Sequence, residues 1–239
     1  MNIENNNWSL ILDLNGGRIK ELKYKNTLVF GTYNRIDGKE GSTHICAPSF
    51  DAEGQEKYNL PFHGFARTLL WGVKRPTADS IVLTTHTLQT EAYPAELELT
   101  QEITLGSYFK HKVSVNHLKG GEVPVNIGIH YYWDTPQGWS TTKINNMKMK
   151  TSIETNHYTA LQANNTIIFP HATYELQAEG IHSAALWTSF VYEGYEKKYS
   201  QDFCCIEPIK GWPDYFGTEK SILKPGMSVS ASVRIKKVV

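Results

Sequence analysis

Cysteine is scarce: three residues in 239, at positions 46, 204 and 205. The count is odd and two are adjacent, so on a strand they would point to opposite faces. They read as packing residues and not as a disulfide framework. Charge of one sign is also missing, since 24 basic residues balance 24 acidic ones and no basic block stands out. That argues against nucleic acid or an anionic membrane as a main partner. No stretch approaches the roughly 20 apolar residues that span a bilayer, and the opening MNIENNNWSL lacks the basic start and apolar run of a signal peptide. A soluble, cytoplasmic protein is expected. The chain carries no G-x-S-x-G, no Walker loop and no dinucleotide fingerprint, so acyl transfer, nucleotide hydrolysis and hydride transfer lack their usual signals. There is no Cys-x-x-Cys and no His-x-x-x-His pair. A metal held by two histidines and a carboxylate from distant strands stays open as an alternative, but no metal and no cofactor is expected.

What the chain does have is two-residue periodicity. Trp8, Leu10, Leu12 and Leu14 share one face, Asn15-Gly16-Gly17 supplies a hairpin turn, and Arg18–Tyr24 leads away. A short strand is expected at Leu28–Phe30 and another at Ile81–Leu88. Ala95, Leu97, Leu99, Gln101, Ile103 and Leu105 alternate with polar residues, as a half-buried strand requires. Phe109 to His117 repeats the pattern. Further strands are expected near Ile144–Thr151, Thr166–Phe169 and Ala184–Tyr192, in a run ending at Glu207 before Pro208, and over Ser228–Val238. No helix of three turns has an apolar stripe, and no internal repeat or low-complexity linker appears. The expectation is one all-β domain over residues 1–239, a large antiparallel sandwich.

Two features break the regularity. Gly31 to Pro61 is a long polar stretch with glycines at 31, 38, 41 and 54. Loops of that length inside a compact domain are functional or disordered, and the apolar centre Cys46-Ala-Pro-Ser-Phe50 favours a functional, tied-down one. It leads into Leu60-Pro-Phe-His-Gly-Phe-Ala-Arg-Thr68, where His63 and Arg67 sit among hydrophobic residues. The second feature is a strand over residues 123–134. Val123, Val125, Ile127, Ile129, Tyr131 and Trp133 make a core face, and Pro124, Asn126, Gly128, His130, Tyr132 and Asp134 point the other way. That second face is either the floor of a cleft or a solvated exterior. His63, His130 and Glu207 all lie at loops or strand ends, where β-sandwiches place functional groups.

In order along the chain, Gly16-Gly17-Arg18-Ile19, Pro48-x-Phe50, His63-Gly-Phe-Ala-Arg67 with Trp71, Tyr93-Pro94, Asn126-x-x-x-His130-x-Tyr132, Cys205-Ile-Glu207-Pro208 and Leu223-x-Pro225-Gly226 resemble the aldose 1-epimerases (galactose mutarotases). The resemblance extends to the hexose-6-phosphate branch and spans nearly the whole chain. It implies a galactose mutarotase-like β-supersandwich that interconverts the α and β anomers of an aldose. By the same resemblance Glu207 is the base at the C1 hydroxyl, His130 the acid at the ring oxygen, and His63 the second histidine on the substrate. Asn126 and Tyr132 are expected to bind substrate. A carboxylate and an imidazolium suit the task because one group must start ionised and the other protonated.

Arg67 is either a bidentate phosphate grip or a structural ion pair, with Arg35, Lys74 or Arg75 as the second basic residue a phosphate would need. The segment Phe169-Pro-His-Ala-Thr-Tyr174 lacks the aspartate that binds sugar hydroxyls in many relatives. A sugar-binding protein without turnover on the same fold is therefore the alternative. The expected partner is a small sugar or sugar phosphate, with the chain a monomer or homodimer.

Overall fold

A computed structural model describes residues 1–148, 157–212 and 214–238. Two nine-stranded sheets, antiparallel in every ladder, face each other across one core. The first runs Asn2–Glu4, Trp8–Asp13, Arg18–Tyr24, Thr27–Phe30, Gly128–Asp134, Phe203–Ile209, Ser183–Trp187 and His157–Ala160, and His44–Cys46 also pairs with the Gly128–Asp134 strand. The second runs Met147–Lys148, Lys143–Ile144, Asn164–Ile168, Thr173–Glu179, Ser228–Val238, Phe109–Gly120, Ala95–Leu105, Ser80–His86 and Gly72–Pro76. Among the described residues no helix is long and apolar enough to cross a membrane.

The period-two reading holds where the strands are long. Leu97, Leu99, Ile103, Val113, Val115, Val233 and Ile235 from the second sheet meet Ile129, Tyr131 and Trp133 from the first in one buried cluster. Both Cys204 and Cys205 are buried and unbridged; Cys204 joins this core, and Cys205 packs with Tyr132 and Phe203 on the other face.

One polar chain crosses the core. Gln101 donates its amide to the Gly17 carbonyl at 2.9 Å, and its Oε1 lies 3.1 Å from His111 Nε2. The His111 Nδ1 is 3.1 Å from the Tyr131 hydroxyl. Gln Oε1 only accepts, so Nε2 carries the imidazole hydrogen and Nδ1 accepts from Tyr131. Burial pushes the His111 pKa down to about 3. Gly17 must be glycine for this contact: its φ is +56°, and a Cβ there would stand 2.3 Å from Gln101 Nε2.

Several expected elements are corrected. The 123–134 strand is broken: Val123–Pro124 pairs with Ile222–Leu223 in a separate small sheet, and the main strand starts at Gly128. The strand that holds Glu207 continues through Pro208 to Ile209, opposite Ser183. Ala184–Tyr192 is two strands, the second forming its own hairpin with Glu196–Tyr199. The 144–151 run is a hairpin of Lys143–Ile144 and Met147–Lys148, and its end lies outside the described residues. Thr173–Glu179 is a strand that the sequence reading left unassigned.

Candidate active site

The long stretch from Gly31 to Pro61 folds over the outer face of the first sheet. Residues 41–50 are all buried, and three of them form the His44–Cys46 strand. Its register sets His44 opposite His130. On the other side of the same strand, Tyr131 lies opposite Ile206 and Gly128 opposite Ile209, which puts His130 across from Glu207. A row of His44, His130 and Glu207 therefore runs across three adjacent strands. The solvated-exterior reading of the His130 face is thereby excluded, since Gly128, His130 and Tyr132 are all buried.

This row lines a cleft of about 200 Å³. The volume is below the roughly 300–1,000 Å³ of sites for drug-sized ligands, so it favours a small molecule. His130 Nε2 is 3.3 Å from Glu207 Oε1, with both side chains almost fully buried. Burial, reinforced by the nearby Asp51 charge, holds the Glu207 carboxyl well above the usual carboxylate range. Burial also pushes the His130 imidazole far down, helped by His44, His63, Arg35 and Arg67. Both effects favour the neutral pair, with the proton on the carboxyl and a lone pair on the imidazole. Moving that one proton across the contact gives carboxylate and imidazolium without changing the net charge of the cleft.

His63 enters from the Leu60–Thr68 segment in a left-handed conformation, φ +63°. Gly64, at φ +70°, follows it so tightly against the Ala47 carbonyl that a Cβ would lie 2.3 Å from the oxygen. His63 Nδ1 accepts the Asp51 backbone N–H at 3.0 Å, and burial together with Arg67 pushes its pKa down to about 3. Its ring stands at 88° to that of His130, with centroids 5.4 Å apart. Tyr132 lies almost parallel to His130, centroids 4.9 Å apart at 19°.

Arg67 also reaches the cleft, with its guanidinium 5.8 Å from the Phe62 ring. It shares the cleft with the Asp51 carboxylate. The Arg67 carbonyl accepts from the Arg18 guanidinium at 3.4 Å and packs so tightly on Gly16 that a Cβ there would lie 2.4 Å from the oxygen. Of the three candidate second cations, Arg35 lines the cleft, 4.7 Å from the Trp187 ring and paired to Asp37 at 2.6 Å. Lys74 pairs with Glu98 on the second sheet, and Arg75 lies on the same exposed strand.

Asn126 does not line the cleft. Its Nδ2 donates to the Glu53 carboxylate at 3.0 Å and 3.3 Å, and its Oδ1 accepts the N–H groups of Ile127 and Gly211. It holds together the loop and the strands that carry His130 and Glu207, with its hydrogen-bonding capacity spent on protein groups. His171 also lies elsewhere, packed on Phe169 in the turn between the Asn164–Ile168 and Thr173–Glu179 strands of the second sheet. The carboxylate that lines the cleft in addition to Glu207 is Asp51, which the sequence reading did not single out.

Among the described residues, two groups of side chains offer ligand atoms within 4.8 Å of one another, His44 with Cys46 and His63, and His130 with Cys205 and Glu207. In each, the neutral states described leave protons on would-be ligand atoms: Cys46 and Cys205 are held as thiols by burial.

A sequence profile described as aldose 1-epimerase matches residues 18–163. No curated protein matches the chain. Among solved structures, a galactose mutarotase related enzyme from Lactobacillus acidophilus superposes with a TM-score of 0.79 at 15% identity, over 100% of this chain and 97% of its own. A galactose mutarotase-like protein from Lactobacillus casei gives 0.76 at 15% identity, over 100% and 99%.

Proposed function

Because the chain belongs to the aldose 1-epimerase family, we propose that it interconverts the α and β anomers of a hexose or hexose 6-phosphate. The observation that carries this reading is the buried contact of His130 with Glu207, 3.3 Å apart in a cleft of monosaccharide scale. Anomer exchange needs a base for the C1 hydroxyl proton and an acid for the ring oxygen, available together and interchangeable on reclosure. Proton transfer within the pair provides that state. Glu207 then takes the C1 hydroxyl proton as His130 protonates the ring oxygen, the C1–O5 bond opens to the aldehyde, C1 turns about the C1–C2 bond, and the steps reverse on the other face. His63, with Nδ1 occupied by the Asp51 N–H, presents Nε2–H as a fixed donor toward developing negative charge. Tyr132 supports His130 by stacking. Arg67 and Arg35 supply positive charge to the cleft, which supports a phosphorylated sugar.

The test is NMR exchange between anomers of D-glucose, D-galactose and D-glucose 6-phosphate, with wild type and Glu207→Gln. Wild type should accelerate exchange of at least one sugar, and Glu207→Gln should lose about 10²–10⁴-fold of that acceleration. Absence of exchange above the uncatalysed rate for all common hexoses and their 6-phosphates would overturn the reading. Saturable binding without exchange would instead identify a sugar-binding protein.

A further inference from the structure

His44 takes no part in the proton transfers above, yet its ring lines the cleft and is stacked on His130, centroids 4.6 Å apart at 24°. It is also set in the opposite sense to His63. Its Nδ1 lies 2.9 Å from the Ser42 carbonyl oxygen. A carbonyl only accepts, so Nδ1 bears the hydrogen and Nε2 is left with a bare lone pair. That Nε2 is buried and makes no hydrogen bond to the protein. In His63 the backbone partner is an N–H, so the hydrogen stands on Nε2. Two backbone groups of opposite polarity thus give the cleft one fixed imidazole acceptor and one fixed imidazole donor. Both rings stay neutral, His44 because burial, with the Arg18 charge nearby, opposes protonation.

Buried polar atoms are nearly always paired, and an unpaired one calls for a specific cause. We propose that His44 is a specificity-determining residue whose Nε2 accepts a hydrogen bond from one hydroxyl of the sugar. This rests on the sugar-isomerase reading above. A neutral acceptor does the work of a hydroxyl-binding carboxylate without adding negative charge beside Arg35 and Arg67. It therefore fits a phosphorylated sugar as well as a free one. A metal ion on the same lone pair is disfavoured, because burial holds the neighbouring Cys46 as a thiol.

The experiment compares kcat and KM for anomer exchange of D-glucose and D-glucose 6-phosphate with those of their singly deoxygenated analogues. The proteins are wild type, His44→Phe, His44→Asn and His44→Gln. Phe keeps the stacked ring without an acceptor, Asn keeps a donor for Ser42 without reaching the sugar, and Gln can place an oxygen near the Nε2 position. Wild type should discriminate against one deoxy position, and His44→Phe should raise KM for the parent sugar by roughly 3- to 10-fold while leaving that one deoxy sugar unaffected. Asn should behave as Phe, and Gln should recover part of the loss. Equal loss for every analogue, or a fall in kcat with an altered pH profile and unchanged KM, would overturn the proposal, since His44 would then act through His130. If neither Phe nor Asn variant folds, ¹⁵N NMR of wild type decides. An unprotonated Nε2 that shifts on adding D-glucose or D-glucose 6-phosphate supports the proposal; a protonated or unmoved one overturns it. Wild type that exchanges sugars with no deoxy position tied to His44 removes this inference alone. Wild type that neither binds nor exchanges removes the function reading and this inference with it.

Discussion

Replacing His111 by glutamine should make the protein less stable at neutral pH and more stable in acid, so that the two stability curves cross. His111 is fully buried between Gln101 and Tyr131, and burial lowers its pKa from 6.5 to about 3. The sign follows from linkage. A depressed folded pKa means that below 6.5 the unfolded chain binds a proton that the native state refuses, so stability is present above 6.5 and drains away toward 3. Each pH unit in the middle of that window is worth about 1.4 kcal/mol, so wild type should lose about 3 kcal/mol through this residue between pH 6.5 and pH 4. Glutamine cannot titrate and loses nothing there. At pH 7 it forfeits part of the hydrogen-bonded chain, a cost of about 1–3 kcal/mol. The wild-type advantage should vanish between about pH 5.5 and pH 4 and reverse below. Urea unfolding followed by tryptophan fluorescence, on both proteins at half-unit pH steps from 7.5 to about 4, measures the gap directly. A gap independent of pH would refute the reasoning, because His111 would then be charged or unshifted in the native state.

Gly17→Ala forces a Cβ to 2.3 Å from Gln101 Nε2 at a φ of +56°; a loss of about 2–4 kcal/mol is expected in chemical denaturation, combining strain with overpacking. Asn126→Leu strands the N–H groups of Ile127 and Gly211 and the Glu53 carboxylate. It should cost about 3–5 kcal/mol and lower kcat for anomer exchange without a specific rise in KM, which steady-state kinetics on the residual folded protein would show. Arg67→Met and Arg35→Met should each raise KM for D-glucose 6-phosphate by at least about tenfold, a charge-assisted hydrogen bond being worth about 1.5–3 kcal/mol, and leave free D-glucose within about twofold. Equal effects on both sugars would show that these arginines serve the fold or the ring and not a phosphate. Glu53, raised to about 7 by burial, contributes with the opposite sign to His111. Its stabilisation is complete below about 4.5 and is lost as pH rises toward 7, so it offsets the rise that His111 imposes, and Glu53→Gln should make stability climb more steeply with pH in that window than in wild type, measured by urea unfolding.

The parts of this fold that were legible in the sequence are those where one face is buried and the strand is long. Ala95–Leu105 and Phe109–Gly120 show their alternation over eleven and twelve residues, and the Asn15-Gly16-Gly17 turn announces its hairpin. His44 was not legible because its strand is three residues long and lies in a polar stretch with no run of alternation to set a phase. Asn126 was misplaced for the converse reason. The alternation was extended through residues 125–127, where the backbone leaves the ladder and the side chain takes the N–H groups of Ile127 and Gly211 instead. Thr173–Glu179 has only Tyr174, Leu176 and Ala178 on its apolar side, too little to mark a strand. Glu207, His130 and His63 were named from ordered motifs, and no spacing in the chain reveals that they meet. That depends on which strands become neighbours.

The cross-strand line of His44, His130 and Glu207 has a consequence for how function fails. Its spacing is that of neighbouring strands, about 4.8 Å, and is held by ladders shared with the whole first sheet. A ladder admits no gradual slip: a strand that shifts by one residue turns all its side chains over. These groups therefore cannot drift apart by degrees as the molecule warms. On the proposed mechanism, the proton transfer between His130 and Glu207 should persist up to the melting transition and disappear with it, whereas the help that His63 gives from its loop can be lost earlier.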